Sequence, residues 1–91
     1  MKTLYVIGNP GCRPCVEIKN ELASRLGELE ELKTDFIYVT LNELEDKDSF
    51  IQKHGLTATP TIWVEQEGKK VFEHSGFIDV DTLLETIGGL K

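Results

Sequence analysis

The pattern of apolar and polar positions along the chain predicts four short β-strands. Each is a run rich in apolar or β-branched residues, bounded by glycine, proline or polar residues, as is typical of buried strands. Turn-forming residues at positions 66–69 (Gln-Glu-Gly-Lys) separate the last two strands, which we therefore expect to pair as a hairpin. The predicted strands cover residues 4–7, 35–41 and 61–64, and the last includes residues 71–72.

The first helix is predicted from a change of period that begins at about Pro14. Apolar residues there recur at intervals of three and four, as expected for the buried face of a helix. This face comprises Ile18, Leu22, Leu26, Leu29 and Leu32. The other face carries many charges, and a solvated helix face is the expected role of Glu17, Lys19, Glu21, Arg25, Glu28 and Glu31.

Two further helices are predicted nearer the carboxyl end. The first is short, is capped by Asp46 or Asp48 and ends at Gly55, since Asp favours helix starts and Gly favours helix ends. The last begins at Asp79 or Asp81 and ends at a pair of glycines. Its apolar face comprises Val80, Leu83, Leu84 and Ile87.

The elements follow one another in the order β-α-β-α-β-β-α. The first strand–helix–strand unit predicts a parallel pair with a right-handed crossover, and the hairpin adds antiparallel strands. The predicted fold class is therefore α/β, with a four-stranded mixed sheet and helices on both faces. The near-continuous apolar run at residues 35–41 is typical of a sheet that is covered on both faces. At 91 residues, the chain is expected to form a single domain, residues 1–91.

Charge and composition exclude several classes of function. Ten Lys and Arg against sixteen Asp and Glu give a net charge of −6, which argues against binding to nucleic acid or to anionic lipid. No apolar run of the sequence approaches the roughly 18–20 residues that span a bilayer. The first apolar run is also too short for a signal peptide. We therefore expect a soluble, cytoplasmic protein.

Cys12 and Cys15 are the two cysteines of the sequence, and they are too few and too close together for a disulfide scaffold. A structural zinc site normally needs four ligands and would have to recruit both His54 and His74, so no metal is expected. The pair is then either a reactive dithiol or two thiols without a chemical role. Tyr38 lies within an apolar strand, where core packing is its expected role.

The position of the two cysteines favours the reactive dithiol. Residues 12–15 (Cys-Arg-Pro-Cys) lie where the first strand leads into the first helix. A sulfur at a helix N-terminus faces unpaired backbone N–H groups and the positive end of the helix dipole, which favour the thiolate. Pro14 fits the first helical turn, because backbone N–H groups there have no hydrogen-bond partner within the helix and the missing N–H of proline costs nothing. Arg13 adds a positive charge beside the thiols, or is a solvent-exposed side chain with little influence.

Residues 11–15 (Gly-Cys-Arg-Pro-Cys), after an apolar strand, and residues 58–61 (Ala-Thr-Pro-Thr), before another, resemble the thioredoxin family. The spacing from Gly76, at the end of the last strand, to Leu83 resembles the same family. The resemblance covers nearly the whole chain and implies a thioredoxin fold. The chain is similar to the short form of that fold, which glutaredoxins and some small thioredoxins share.

The resemblance implies a thiol–disulfide oxidoreductase that reduces protein disulfides, with a redox-active Cys12–Cys15 disulfide and no bound cofactor. Cys12 attacks a target disulfide as the thiolate, and Cys15 resolves the mixed disulfide. Pro60 is implied to be a cis proline beside Cys12, where Thr59 and Gly76 help to dock the target. The implied partners are disulfide-bearing proteins, ribonucleotide reductase among them, and a flavin-dependent thioredoxin reductase. The protein is expected to act as a monomer.

Two departures from the family pattern bear on this chemistry. Gly11 stands where thioredoxins usually have Trp, and Val6 stands where they usually have a buried Asp. Without that carboxylate, either solvent or Glu17 exchanges the proton of Cys15. The other expected role of Glu17 is that of a surface residue.

A glutathione-dependent oxidoreductase of the glutaredoxin type is the alternative enzyme. Glutaredoxins usually have an aromatic residue where this chain has Pro14, and acidic residues after the last strand that hold glutathione. Asp79 and Asp81 follow the last strand here, but they are expected to cap the last helix. A third alternative is a non-enzymatic binding module that uses zinc or the edge of the sheet.

Overall fold

The computed structural model describes residues 1–90, which contain four β-strands and four α-helices. The strands are β1 (Lys2–Gly8), β2 (Thr34–Thr40), β3 (Thr61–Gln66) and β4 (Lys69–Ser75). The helices are α1 (Arg13–Ser24), α2 (Leu26–Glu31), α3 (Lys47–His54) and α4 (Val80–Gly89), and a short 3-10 turn spans Leu41–Glu43. The element order agrees with the prediction, except that the first helix is divided in two. In this described part of the chain, no helix is long and apolar enough to cross a membrane.

The four strands form one mixed sheet in the order β2-β1-β3-β4, as the sequence predicted in outline. β1 runs parallel to β2 and antiparallel to β3, and β3 runs antiparallel to β4. Ile7 near the end of β1 pairs with Thr61 at the start of β3, which pairs in turn with Ser75 at the end of β4. The end of β1, the start of β3 and the end of β4 therefore lie at one end of the sheet.

Helices cover both faces of the sheet because side chains of the central strands alternate between them. On one face, α1, α2 and α4 pack against β1 and β3. This first cluster comprises the buried residues Leu4, Val6, Ile18, Leu22, Leu29, Ile62, Val64, Ile78, Val80, Leu83, Leu84 and Ile87. On the other face, α3 packs against a smaller second cluster, whose buried members are Ile7, Leu41 and Trp63.

Helices cover both faces of the sheet, as predicted, but β2 lies at its edge and is covered only in part: Val39 packs against the second cluster. β2 pairs with β1, and the side chain of Ile37 is exposed. Phe36 and Tyr38 pack against the first cluster while remaining partly accessible. The apolar run of β2 thus reflects the preference of these residues for strands, and it is β1 and β3 that bury side chains on both faces.

The first helix is interrupted at Arg25. The backbone of Arg25 leaves the helical region (φ −123°, ψ 29°), and α2 begins at the next residue. The break turns Leu26 out of the predicted apolar face, and Leu26 is 51% exposed. The prediction for Leu26 is therefore wrong, whereas Ile18, Leu22 and Leu29 are buried as expected.

Arg25 is the centre of an ion-pair cluster, although its expected role was that of a solvated residue. Its guanidinium donates hydrogen bonds to Glu21 at 3.1 Å, to Glu28 at 2.5 Å and to Asp81 of α4 at 2.6 Å. The Arg25 side chain is only 24% exposed. The hydrogen bond from Arg25 holds the pKa of the Glu28 carboxyl below its ordinary value. These contacts connect α1, α2 and α4.

Both ends of α3 and the start of α4 have the caps that the sequence predicted, whereas α4 includes the two glycines predicted to end it and has Leu90 as its C-cap. Asp46 accepts a hydrogen bond from the Ser49 amide at the start of α3, and Gly55 ends α3 in the left-handed region (φ 62°). Asp79 accepts a hydrogen bond from the Thr82 amide at the start of α4. Of the two candidates at each helix start, the first along the chain is therefore the cap.

β1 and α1 pack closely at Gly8. A Cβ atom added to Gly8 would lie 2.6 Å from the Cys15 Cβ, 2.8 Å from the Cys15 sulfur and 2.5 Å from the Tyr38 hydroxyl oxygen. These distances are shorter than real Cβ contacts. Glycine at this position is therefore what allows the strand and the helix to approach each other.

We expect Gly8→Ala to lower the free energy of unfolding by about 1–3 kcal/mol, because the Cys15 Cβ is fixed to the helix backbone and has no flexible end to move aside. Urea unfolding of the purified variant measures the change. Gly11→Ala is the matched control, since nothing lies within 4 Å of the position that its Cβ would take. Equal unfolding midpoints for the two variants would contradict the close packing at Gly8.

We expect Glu28→Gln to destabilise the protein at pH 7 and to have a smaller effect in acid. The carboxyl pKa of Glu28 is lower in the folded than in the unfolded protein. The ion pair therefore contributes stability above the unfolded pKa of about 4.3, and the contribution is lost as the pH falls through the folded pKa. Urea midpoints at pH 7 and pH 3 measure the difference, with Glu31→Gln on the same helix as the control. A difference from wild type that is equal at both pH values would refute this assignment.

Candidate active site

Cys12 occupies the cap position immediately before α1. Its backbone is extended (φ −94°, ψ 103°), and its sulfur accepts a hydrogen bond from the Cys15 N–H, with an N–S distance of 3.3 Å. The first turn of α1 contains no acidic residue. The unpaired N–H groups and the positive end of the helix dipole therefore favour a negative charge on the Cys12 sulfur once the sulfur is reduced.

Cys12 and Cys15 are joined by a disulfide, with an S–S distance of 2.11 Å and a Cα–Cα distance of 5.2 Å. The two residues differ in burial, because Cys15 is 0% exposed whereas Cys12 is only half-buried. Cys12 is therefore the accessible residue of the pair, and Cys15 is enclosed.

Arg13 and Pro14, between the cysteines, both lie at the surface. Pro14 is in the first turn of α1, as expected. The side chain of Arg13 is 91% exposed and forms an ion pair with Glu17 at 3.7 Å, where solvent screens the charges. Glu17 is exposed as well, so its carboxylate is directed to Arg13 rather than to the buried Cys15. Of its two expected roles, the structure supports that of a surface residue.

The segments before β3 and after β4 meet at the end of the sheet where α1 begins. The Thr59–Pro60 peptide bond is cis, as the resemblance implied, and Pro60 is buried. Gly76 donates its backbone N–H to the Pro60 carbonyl at 2.7 Å and has a φ of 92°, which favours glycine. The structure thus brings Pro60 and Gly76 into contact. The sheet register places both near the end of β1 that leads to Cys12.

A mostly apolar cleft of about 260 Å³ adjoins this segment. It is lined by Leu41, Ile51, Leu56, Thr57, Ala58 and Thr59. Phe77, directly after Gly76, is exposed as well. A larger hollow of about 430 Å³ lies at the opposite end of the sheet, between α2 and the start of β2, and neither cysteine lines it. Neither cysteine lines the smaller cleft either, but Thr59, directly before the cis Pro60, does, so this cleft adjoins the candidate site.

Tyr38 lies beside the dithiol, although the sequence pointed only to a role in the core. Its ring packs against the first cluster, but its hydroxyl oxygen reaches the space next to Gly8 that the Cys15 sulfur also borders. Burial raises the pKa of the Tyr38 hydroxyl. The Nζ of Lys19 lies 4.8 Å from the centre of the Tyr38 ring. The sequence carried no signal of this proximity, because it depends on the register between β1 and β2.

Each of the two histidines contacts a residue of the fold other than the cysteines. His54 stacks on Trp63 with ring centres 4.6 Å apart, and its pKa is lowered, first by burial and then by the charge of Lys70. The Nε2 of His74 lies 3.1 Å from the carbonyl oxygen of Phe77. Within residues 1–90, no group of three or more His, Cys, Asp or Glu side chains is arranged to hold a metal ion.

Comparison with known proteins agrees with this geometry. A family model described as a thioredoxin-like domain matches residues 1–90. A search of curated proteins finds no match.

Three thioredoxins of known structure have a similar fold. Thioredoxin from Fasciola hepatica is 27% identical, with a TM-score of 0.77 over 94% of this chain and 77% of that chain. Thioredoxin f2 from Chlamydomonas reinhardtii is 20% identical, with a TM-score of 0.77 over 94% of this chain and 75% of that chain. Mitochondrial thioredoxin 3 from Saccharomyces cerevisiae, in its oxidised form, is 18% identical, with a TM-score of 0.78 over 98% of this chain and 78% of that chain.

The predicted thioredoxin fold is therefore confirmed, and the segments that the resemblance singled out adjoin one end of the sheet in the structure. The disulfide between Cys12 and Cys15 supplies the chemistry that this fold usually carries. Because the family model spans residues 1–90, the protein belongs to the thioredoxin family of thiol–disulfide oxidoreductases.

Proposed function

We propose that the protein reduces disulfides of other proteins as a thioredoxin-like electron carrier, with Cys12 as the attacking thiol and Cys15 as the resolving thiol. The observation that carries this proposal is the unequal burial of the two sulfurs at the start of α1. A reductase must engage its target through an accessible sulfur and then release it through a second sulfur. That second sulfur is useful only if other molecules cannot reach it, and Cys15 meets this condition.

The proposed cycle transfers two electrons to the target. The Cys12 thiolate attacks one sulfur of the target disulfide, and the other target sulfur leaves as a thiolate with the bonding electron pair. Cys15 loses its proton and attacks the Cys12 sulfur. The bond between Cys12 and the target breaks, so the second target sulfur also leaves as a thiolate. The target ends as a dithiol after taking up two protons from solvent, and Cys12 and Cys15 end as a disulfide.

The target is proposed to dock against Thr59, Pro60 and Gly76. Nothing lies within 4 Å of the point that a Gly76 Cβ would occupy, so the surface in front of this residue is open to a partner's backbone. The apolar cleft beside Thr59 and the exposed ring of Phe77 flank this surface. An extended target segment bound here would pair through its backbone and place side chains on apolar surface.

The disulfide itself carries the electrons, so no bound cofactor is required, and a flavin-dependent thioredoxin reductase is the proposed electron source. The proposed location is the cytoplasm, and the proposed state is a monomer. A net charge of −6 favours encounter with partners that have basic surfaces. Pro14 is proposed to modulate the dithiol by fixing the first turn of α1, and Arg13 by its screened positive charge.

Reduction by glutathione is the alternative, and the acidic residues after β4 bear on it. Asp79 caps α4 by accepting the Thr82 amide, and Asp81 binds Arg25. Both carboxylates therefore already have partners within the fold, which supports a protein reductase over a glutathione-binding enzyme. The reduction potential and the source of electrons distinguish the two.

We expect Cys12→Ser to reduce the rate of insulin reduction by dithiothreitol to the uncatalysed rate, because the accessible nucleophile is lost. A mixed disulfide between the Cys15→Ser variant and insulin should accumulate. Electrophoresis on a non-reducing gel detects it. Ala23→Ser, at an exposed position of α1, is the control for a new hydroxyl and should keep full activity. Full activity of Cys12→Ser would refute the proposed function.

We expect a reduction potential near about −270 mV for the Cys12–Cys15 pair, as in thioredoxins. Equilibration against glutathione and against a dithiol buffer measures it. A potential of about −200 mV or above would favour the glutathione-dependent alternative or an oxidising role. Turnover driven by glutathione alone, together with deglutathionylation that survives Cys15→Ser, would establish that alternative.

A further inference from the structure

We propose that the hydroxyl of Tyr38 donates a hydrogen bond to the sulfur of Cys15 when the disulfide is open, and that this bond stabilises the Cys15 thiolate during resolution. The inference rests on the proposed dithiol exchange and adds a third residue to it. In this proposal Tyr38 is a catalytic residue of the second step, because its hydroxyl binds a reacting sulfur once the disulfide opens.

The Tyr38 hydroxyl and the Cys15 sulfur border the same space beside Gly8. The Tyr38 hydroxyl oxygen and the Cys15 sulfur lie 2.5 Å and 2.8 Å from the same point, the position that a Gly8 Cβ would take. Since Gly8 has no side chain, nothing of this residue separates the two groups. Tyr38 pairs with Val6 in the sheet register, and its ring packs on the face that α1 covers, so the hydroxyl enters this space from the edge strand.

The burial of Cys15 creates a need for such a donor. A thiolate taken out of water is unfavourable unless a polar group or a charge stabilises it. Val6 offers no polar side chain, and the carboxylate of Glu17 is engaged with Arg13 at the surface. A neutral hydroxyl next to the sulfur provides a hydrogen bond without placing a second charge in the core.

Tyr38 is suited to act as a donor because its hydroxyl stays protonated at neutral pH. Burial raises the pKa of this hydroxyl above its ordinary value. The charged group over its ring is Lys19 of α1, at 4.8 Å from the ring centre, while β1 contributes Val6 and Gly8. During resolution Cys12 is bonded to the target and is uncharged, so Cys15 is the thiol that titrates in this step.

In the proposed step, Cys15 gives its proton to solvent and its thiolate accepts the hydrogen bond of Tyr38. The thiolate then forms a bond to the Cys12 sulfur, the bond between Cys12 and the target breaks, and the target sulfur leaves with the electron pair. Tyr38 keeps its proton throughout. Its contribution is to lower the pKa of Cys15.

Tyr38→Phe tests the proposal, because it removes the hydroxyl and keeps the ring. The reduced protein is mixed with one equivalent of an aromatic disulfide whose thiolate product is coloured. Attack by Cys12 releases the first equivalent of thiolate, and attack by Cys15 on the mixed disulfide releases the second. The two phases therefore report the two cysteines separately, and their rates are recorded from pH 5 to pH 10.

We expect Tyr38→Phe to leave the first phase unchanged and to raise the apparent pKa of the second phase by about 1, since hydrogen bonds to charged groups are the strong ones. Relative to the wild type, the second phase of Tyr38→Phe should be about threefold slower at pH 7. It should be about threefold faster at a pH above the apparent pKa values of both proteins. The change is smaller than tenfold because a more basic thiolate is also a better nucleophile. The pH profiles of the second phase in the wild type and in Tyr38→Phe should therefore cross. A purely structural role of Tyr38 would not produce this crossing.

Tyr5→Phe is the matched control, since Tyr5 stacks on Trp63 on the other face of the sheet and should leave both phases as in the wild type. A second phase in Tyr38→Phe with the pH profile of the wild type would overturn the role of Tyr38 and leave the dithiol mechanism intact. Equal slowing of both phases at every pH would also overturn it. Failure of the wild-type protein to release a second equivalent would refute the proposed function itself.

Discussion

The connection from β1 to α1 is the constraint on which the rest of the site depends. It places Cys12 at the helix cap, where its sulfur accepts a backbone N–H, and it places Cys15 one turn later against Gly8. Cys12 is therefore the accessible residue of the pair and lies under the influence of the helix dipole, whereas Cys15 is enclosed by the strand and the helix. Unequal burial and unequal electrostatics arise from this single piece of backbone, and two-step disulfide exchange requires both.

The sheet brings the other parts of the site to this connection. Strand pairing aligns the start of β3 and the end of β4 with the end of β1, so Pro60 and Gly76 meet near the dithiol although they are distant in sequence. The ion pairs of Arg25 act elsewhere, between α1, α2 and α4. The ion pairs of Arg25 and the groups of the candidate active site are thus separate.

The burial of Cys15 beside apolar Val6 is the reason for the role proposed for Tyr38. Val6 of β1 stands where thioredoxins usually have a buried Asp, and its side chain is apolar. The hydroxyl that lies next to Cys15 instead comes from β2, whose edge position leaves Tyr38 partly accessible. A group with this placement can be polar at its tip and apolar along its ring, which suits a site at the border of the core.

The sequence by itself determined the four strands, the order of the elements, two candidate caps for each of the last two helices and the closely spaced cysteine pair. Each of these depends on short-range features such as period, cap residues and the spacing of Cys12 and Cys15. The tertiary structure decided what depends on contacts between distant segments. The break at Arg25 involves Asp81, 56 residues away, and the exposure of β2 depends on strand order. The approach of Tyr38 to Cys15 depends on the register of β1 and β2 and on the missing side chain of Gly8. Local patterns do not specify which strand becomes an edge or which side chains meet across a sheet, because packing of the whole chain sets both.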